Sequence, residues 1–332
     1  MKIIKLSLPA NAAHAEKQSP ASSCVWGDCH FFINKPVDYC DAWVVCDNLP
    51  LPEESTICPG NGAVLITGEP RAIWHYNKKF IKQFSTIITS QREIKGPGVI
   101  YSLQGHGWHV GLNHANSEDF GSDKSYDELI RLRNIPKTKL LSIVASNKQS
   151  TVGHRQRYRF ALKLKEALGD RADLFGRGIN DFNDKWDVLA PYKYSVAIEN
   201  CATDDYISEK LFDCFLTHTF PFYYGAPNVS NYYSPDSYSL IDINNFSESV
   251  SKIKKIINDP SHYQEHLVGV IESKLKYLNH YNIFPLIVDL IKNFPDNKPM
   301  EKITLKNAKD GFSWSNRFRI IGDKFKLLFE KL

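Results

Sequence analysis

Tyr194-Ser195-Val196-Ala197-Ile198-Glu199-Asn200-Cys201, and just beyond it Asp204-Asp205-Tyr206-Ile207-Ser208-Glu209-Lys210-Leu211, is the stretch whose reading decides the fold. The small and β-branched residues 195–198 predict a buried strand that ends at Glu199-Asn200, with a turn after it. Asp205 is a suitable N-cap for a helix over Tyr206–His218, whose apolar stripe is Ile207, Leu211, Cys214 and Phe215. Polar side chains then collect at the carboxyl end of a strand, where open α/β sheets bind ligands.

Working outward, strands and helices alternate. Downstream of residue 139 the pattern predicts strands at Leu140–Ala145, Asp173–Phe175, Phe220–Tyr224 and Ser239–Ile241. Helices are expected at Arg155–Leu168, Glu248–Asn258, His262–Leu278 and Ile283–Asn293. The first half supplies strands at Lys2–Leu8, Trp43–Asp47, Ala63–Thr67, Thr86–Thr89 and Val99–Leu103. This succession is α/β with a mainly parallel sheet. The polar segment Glu118–Pro136 marks a boundary, giving domains at 1–135 and 136–300 and a tail at 301–332. The absence of Gly-x-Gly-x-x-Gly disfavours an NAD enzyme, and no P-loop is present.

With 332 residues, 42% of them hydrophobic, the chain can bury two cores. A net charge of +4 is too small for a dedicated nucleic-acid binder. Lys5 interrupts the first apolar run before it reaches the length of a signal sequence, so a cytoplasmic protein is expected. The seven cysteines contain no Cys-x-x-Cys pair, which argues for reduced, packed thiols over a zinc framework.

The run IENCATDDYISEKLFDCFLTHTFPFYYGAPNVSNYYSPDSYSLID (198–242) resembles the signature of the α-1,3-fucosyltransferases, glycosyltransferase family 10, in which Glu-Asn-Ser precedes Tyr-Val-Thr-Glu-Lys. The likeness continues upstream through LLSIVASN, HRQRYRFAL and FGRG, over most of 139–246, and is weaker in the first half, chiefly at Thr67-Gly68-Glu69-Pro70. Cys201 stands where the family has serine, and Ser208 where it has threonine. The resemblance implies a GT-B enzyme, two Rossmann-like domains facing a central cleft, with GDP-fucose in the second. It makes Asn200, Tyr206, Glu209 and Lys210 donor contacts, Lys210 on the diphosphate and Glu209 on the ribose or fucose.

The family also uses an arginine on the first helix of that domain. Among Arg155, Arg157 and Arg159, only Arg157 shares a helical stripe with Ala161, Leu164 and Leu168, so it is expected to face inward and meet a pyrophosphate. Glu69 matches the family's general base. It lies at the carboxyl end of a strand, and Pro70 holds it in extended backbone at the cleft edge. Trp74, His75, His106, Trp108 and His109 are candidates for an acceptor platform beside it.

The implied reaction is an inverting displacement through an oxocarbenium-like state. The sequence contains no Asp-x-Asp, so basic side chains take the place of an obligatory metal, with a divalent cation at most an aid. The expected acceptor is a glycan or lipid-linked glycan of bacterial surface polysaccharide or lipopolysaccharide. Two other readings share the scaffold: a different GDP-deoxyhexose donor, and a glycan- or nucleotide-binding protein without catalysis. Finally, Trp314, Phe318, Ile321, Phe325, Leu328 and Leu332 recur at helical spacing with a basic opposite side. That pattern suits residues 313–332 to an anionic membrane surface, or equally to packing back on the protein.

Overall fold

The structure is a computed structural model and describes residues 1–9, 15–113, 124–294 and 299–308. Eight strands come from the first part of the chain: β1 (Lys2–Ser7), β2 (Val25–Trp26), β3 (Cys29–Ile33), β4 (Ala42–Cys46), β5 (Glu53–Pro59), β6 (Ala63–Ile66), β7 (Thr86–Thr89) and β8 (Val99–Tyr101). Seven of them form a sheet of order β2-β3-β1-β4-β6-β7-β8. Its pairings are parallel except for the β2–β3 hairpin. β4 and β6 read as nearly unbroken apolar runs because both faces of the sheet are covered. Alternate residues serve opposite sides: Val44 joins a core with Ile4, Leu6 and Val64, whereas Trp43 and Val45 join another with Leu65 and Phe80. Phe80 comes from the single-turn helix α1 (Lys78–Ile81), and α2 (Tyr126–Arg131) leads out of this part of the chain.

The second sheet, wholly parallel, contains β9 (Lys139–Val144), β10 (Ala172–Phe175), β11 (Tyr192–Ile198), β12 (Phe220–Tyr224) and β13 (Ser239–Leu240) in the order β10-β9-β11-β12-β13. Helices α3 (Val152–Leu168), α4 (Glu209–Leu216), α5 (Phe246–Asn258) and α6 (His262–Lys276) accompany it. Phe160 and Leu164 of α3 and Phe212 and Phe215 of α4 share one core with Leu141, Ile143 and Val196 of the strands. The chain leaves β9 toward β10 on one side and later returns to β11 on the other. Between the carboxyl ends of β9 and β11 this reversal opens a crevice, the topological switch point of the sheet.

After α6 a π-type turn over Tyr277–Tyr281 redirects the chain into α7 (Ile283–Ile291), capped by the Asn282 side chain. Here the structure departs from the domain limits expected from sequence. Ile283, Phe284, Ile287, Val288 and Ile291 of α7 are buried against Ile4, Leu6 and Val44 of the first sheet, not in the second domain. The final described strand, β14 (Met300–Lys306), pairs antiparallel with β5 along its whole length, so it too belongs to the first unit. Local periodicity assigns α7 to the helices it follows; its partners lie nearly the whole chain away. The amphipathic segment 313–332 lies outside the described residues. No described helix is long and apolar enough to cross a membrane.

Candidate active site

At the switch point the loops after β9 and β11 and the starts of α3 and α4 enclose a crevice of about 730 Å³. Five cationic residues, Lys148, Arg157, Arg177, Lys185 and Lys210, line it against two acidic ones, Asp181 and Glu209. Such a balance suits a polyanionic ligand.

Arg157 faces inward, as its helical stripe requires, and is only 7% exposed. Nη1 donates to Asn200 Oδ1 at 2.8 Å and Nη2 to Ser146 Oγ at 3.3 Å, while buried Nε finds no hydrogen-bond acceptor among the described residues. Both partners are neutral. A buried guanidinium held this way has donor capacity and charge left for an anion. Asn200 thereby acquires a definite place, beside the arginine at the end of β11. Helix α3 approaches that loop so closely that a side chain at Gly153 would collide with the Asn200 carbonyl.

Lys210 is not the solvated lysine that its place in sequence alone would suggest. Its Nζ lies 3.2 Å from Glu199 Oε2 and 3.1 Å from Glu209 Oε1, and donates to Ser208 Oγ at 2.9 Å. Burial opposes its charge, but the two carboxylates prevail and hold it protonated. Glu209 is likewise desolvated, and Lys210, His109 and Lys185 together keep it well below the usual carboxylate range. Glu199, 1% exposed, also accepts from Ser208 N at 2.8 Å, tying the end of β11 to the start of α4. The sequence reading gave Glu199 no role. Its neighbour Asn200 drew attention as a motif residue, whereas the partner that explains Glu199 lies across a loop.

Asp205 corrects the expected helix start. It adopts φ 63°, left-handed backbone that cannot precede a helical turn directly, and α4 begins only at Glu209 with Ser208 as N-cap. The Ser208 hydroxyl serves Glu199 instead of the first turn. The Asp205 carboxylate accepts from Asn228 Nδ2 at 2.7 Å, from the Tyr232 hydroxyl and from Arg92 of the first domain. It therefore fastens the two domains at the cleft. Tyr206 follows, 3% exposed, its ring edge-on to His106 at 5.9 Å. Tyr206 consequently lies before the helix, whose first turn starts at Glu209.

Glu69 extends from the turn after β6. Burial, then the charge of Asp47, raise its carboxyl to about 6, against the pull of Lys210. Its response to Lys210, Glu209 and Lys148 places it opposite the crevice. Of the acceptor candidates, Trp108 is a core residue, 1% exposed, with Nε1 donating to Lys124 O at 3.1 Å, and is removed from the platform. His109 points at Glu209, Nδ1 to Oε1 4.0 Å.

Two further residues escaped the sequence reading. Lys185, between β10 and β11, and Asp213, on α4, form a buried ion pair at 2.6 Å. Asp213 Oδ1 also accepts the backbone N–H of His109 at 3.0 Å, so the pair holds the wall of the crevice to the segment joining the domains. Asp213 is spaced like a core position of α4, the one signal that its carboxylate has a partner inside.

A family model described as glycosyltransferase family 10 (fucosyltransferase), C-terminal part, matches residues 134–280. Over those residues the chain is similar to glycosyltransferase family 10. The chain is similar to the alpha-(1,3)-fucosyltransferase FucT of Helicobacter pylori, 29% identical over 130 residues, which are 38% of this chain and 26% of that protein. It is also similar to the GDP-fucose protein O-fucosyltransferase 3 of Bos taurus, 38% identical over 92 residues, 27% of this chain and 18% of that one. The matches thus span about a quarter or less of these curated relatives. A crystal structure of an alpha1,3-fucosyltransferase superposes with a TM-score of 0.55 at 18% identity, covering 90% of each chain. That likeness carries the fold beyond residues 134–280: the architecture is GT-B.

Proposed function

We propose that this protein transfers L-fucose from GDP-fucose to a glycan hydroxyl by a single inverting displacement. One observation carries the reading: a buried arginine with neutral partners and a charge-locked Lys210 line a switch-point crevice, opposite a glutamate whose carboxyl is raised to about 6. The diphosphate lies against Arg157 and Lys210. Glu69 takes the proton of the acceptor hydroxyl as its oxygen bonds to the anomeric carbon, and the bond to the GDP oxygen breaks. Positive charge at the crevice offsets the negative charge that grows on the leaving diphosphate. Asn200 holds Arg157 in place, Glu209 holds Lys210, and Tyr206 closes the side facing His106. The fucosyltransferase family match and the likeness to a GDP-fucose protein O-fucosyltransferase support GDP-fucose as the donor. The acceptor in this reading is a glycan of the bacterial surface-polysaccharide or lipopolysaccharide class.

The test is mass-spectrometric detection of a deoxyhexose-extended product after incubation with GDP-fucose and a panel of acceptor sugars. Extension with GDP-fucose and with no other GDP-sugar supports the reading. Extension from a different GDP-deoxyhexose, or GDP binding with no product on any acceptor, overturns it.

A further inference from the structure

Asp47 directly follows β4 and has φ 60°, a left-handed conformation that aspartate tolerates better than most residues. Its own N–H donates to Ile66 O at 2.8 Å, which ties it to the end of β6. The carboxylate is thereby turned under the exit of that strand. Asp47 Oδ1 accepts the N–H of Gly68 at 2.6 Å and of Glu69 at 3.4 Å, and the same oxygen accepts from the hydroxyl of buried Tyr76. A side chain at Gly68 would bring its Cβ to 3.0 Å from Asp47 Oδ2 and 3.3 Å from His106 Cε1, so the turn is moulded around this carboxylate. On the far side Gln91 Nε2 donates to Glu69 O at 2.8 Å. The backbone of Glu69 is gripped from both sides while its carboxyl is left to face the cleft.

We propose that Asp47 is the positioning residue for Glu69: its carboxylate, anchored by Tyr76, fixes the Gly68-Glu69 turn and sets a second carboxylate beside the Glu69 carboxyl. The inference rests on the reading of Glu69 as the proton acceptor. Two carboxylates in one site disfavour ionisation of the less solvated one, which makes it a stronger base. From its own domain Glu69 faces Asp47 and Tyr76; across the cleft it faces Lys148, Glu209 and Lys210, with Cys201 and Tyr206 beside them. The lysines favour the charged form, Asp47 and Glu209 disfavour it, and burial is the largest influence in the same sense as Asp47. Removing the Asp47 charge alone therefore lowers the pH at which Glu69 titrates.

Asp47→Asn keeps an acceptor for Gly68 and tolerates the left-handed backbone, so it removes charge with the turn intact. Two measurements on the full chain separate the possibilities. In the first, protein carrying 13C-labelled glutamate is titrated by NMR, the Glu69 resonance being the one lost in Glu69→Gln. In the second, the pH profile of kcat/KM is measured as GDP release from GDP-fucose. Expected for Asp47→Asn are a downward shift of the Glu69 titration by about half a pH unit or more, an acid limb of kcat/KM that moves with it, and a KM for GDP-fucose within about twofold of the parent. Tyr76→Phe, which loosens the anchor and keeps the charge, lowers kcat without moving the limb. An unmoved Glu69 titration in Asp47→Asn overturns the inference whatever the activity does. A titration that moves while the acid limb stays put upholds the Asp47–Glu69 pairing and instead overturns Glu69 as the base.

Discussion

Glu69 combines a raised carboxyl with a strand-end position facing cations across the cleft. If it is the base, Glu69→Gln lowers turnover about 100-fold or more while GDP affinity, measured by calorimetry, stays near that of the parent. The pH dependence has a definite sign. The base must be ionised, so kcat/KM declines about tenfold per pH unit below the Glu69 value of about 6 and is flat just above it. Arg157 is distinguished from its neighbours by burial and by partners of no charge. Arg157→Ala should weaken GDP binding by about tenfold or more, the worth of a charge-assisted hydrogen bond. Arg155→Ala, whose Nη1 donates only to the Gln149 carbonyl, should stay within about twofold. Comparable losses from both variants would place the diphosphate elsewhere in the crevice.

Among the elements, the loop before α4 carries a specific energetic claim. Asp205 holds left-handed backbone and bonds Asn228, Tyr232 and Arg92 while 4% exposed. Asp205→Ala loses those bonds and strands the Tyr232 hydroxyl, a cost of about 2–4 kcal/mol. Arg92→Ala should cost about 1 kcal/mol or less, because that side chain is 41% exposed. Urea midpoints of the two variants test the order; equal losses would mean that the ion pair, not the loop, dominates. This loop also shows where sequence is legible and where it is not. The strands around Val44, Leu65, Ile143 and Val196 were readable because unbroken apolar runs between turn residues have few other solutions. The inward face of Arg157 followed from helical spacing. Asp205 before an apolar stripe has the local chemistry of a cap, and only its partner from the other domain, Arg92, draws it away. Likewise β5 and β14 carry few apolar residues and pair across most of the chain, so neither announces the other. Asp47 was hidden because its role is to a turn, not to a motif.

In the whole molecule, two domains share a chain that crosses between them twice. Tyr277 donates its hydroxyl to His106 O at 2.8 Å, and just beyond it α7 enters the first core. Ending the chain at Tyr281 would strip five buried apolar side chains from that core. At roughly 1.5–3 kcal/mol each, their loss rivals the whole stability of an ordinary domain. The expected outcome is a second domain that keeps protected amides in hydrogen exchange beside a first domain that exchanges freely; uniform protection would show that α7 is dispensable.

That return crossing also sets an order of events during synthesis. The first sheet leaves the ribosome before the second, yet one face of it waits for Ile283–Ile291 and the edge of β5 waits for Met300–Lys306, which follow the second sheet. The second domain has all of its strands and most of its helices within residues 139–276, so it can close while its predecessor is still open. Nascent chains therefore expose Ile4, Leu6 and Val44 until the second domain has been made, an interval in which a holding chaperone has an apolar sheet face to occupy.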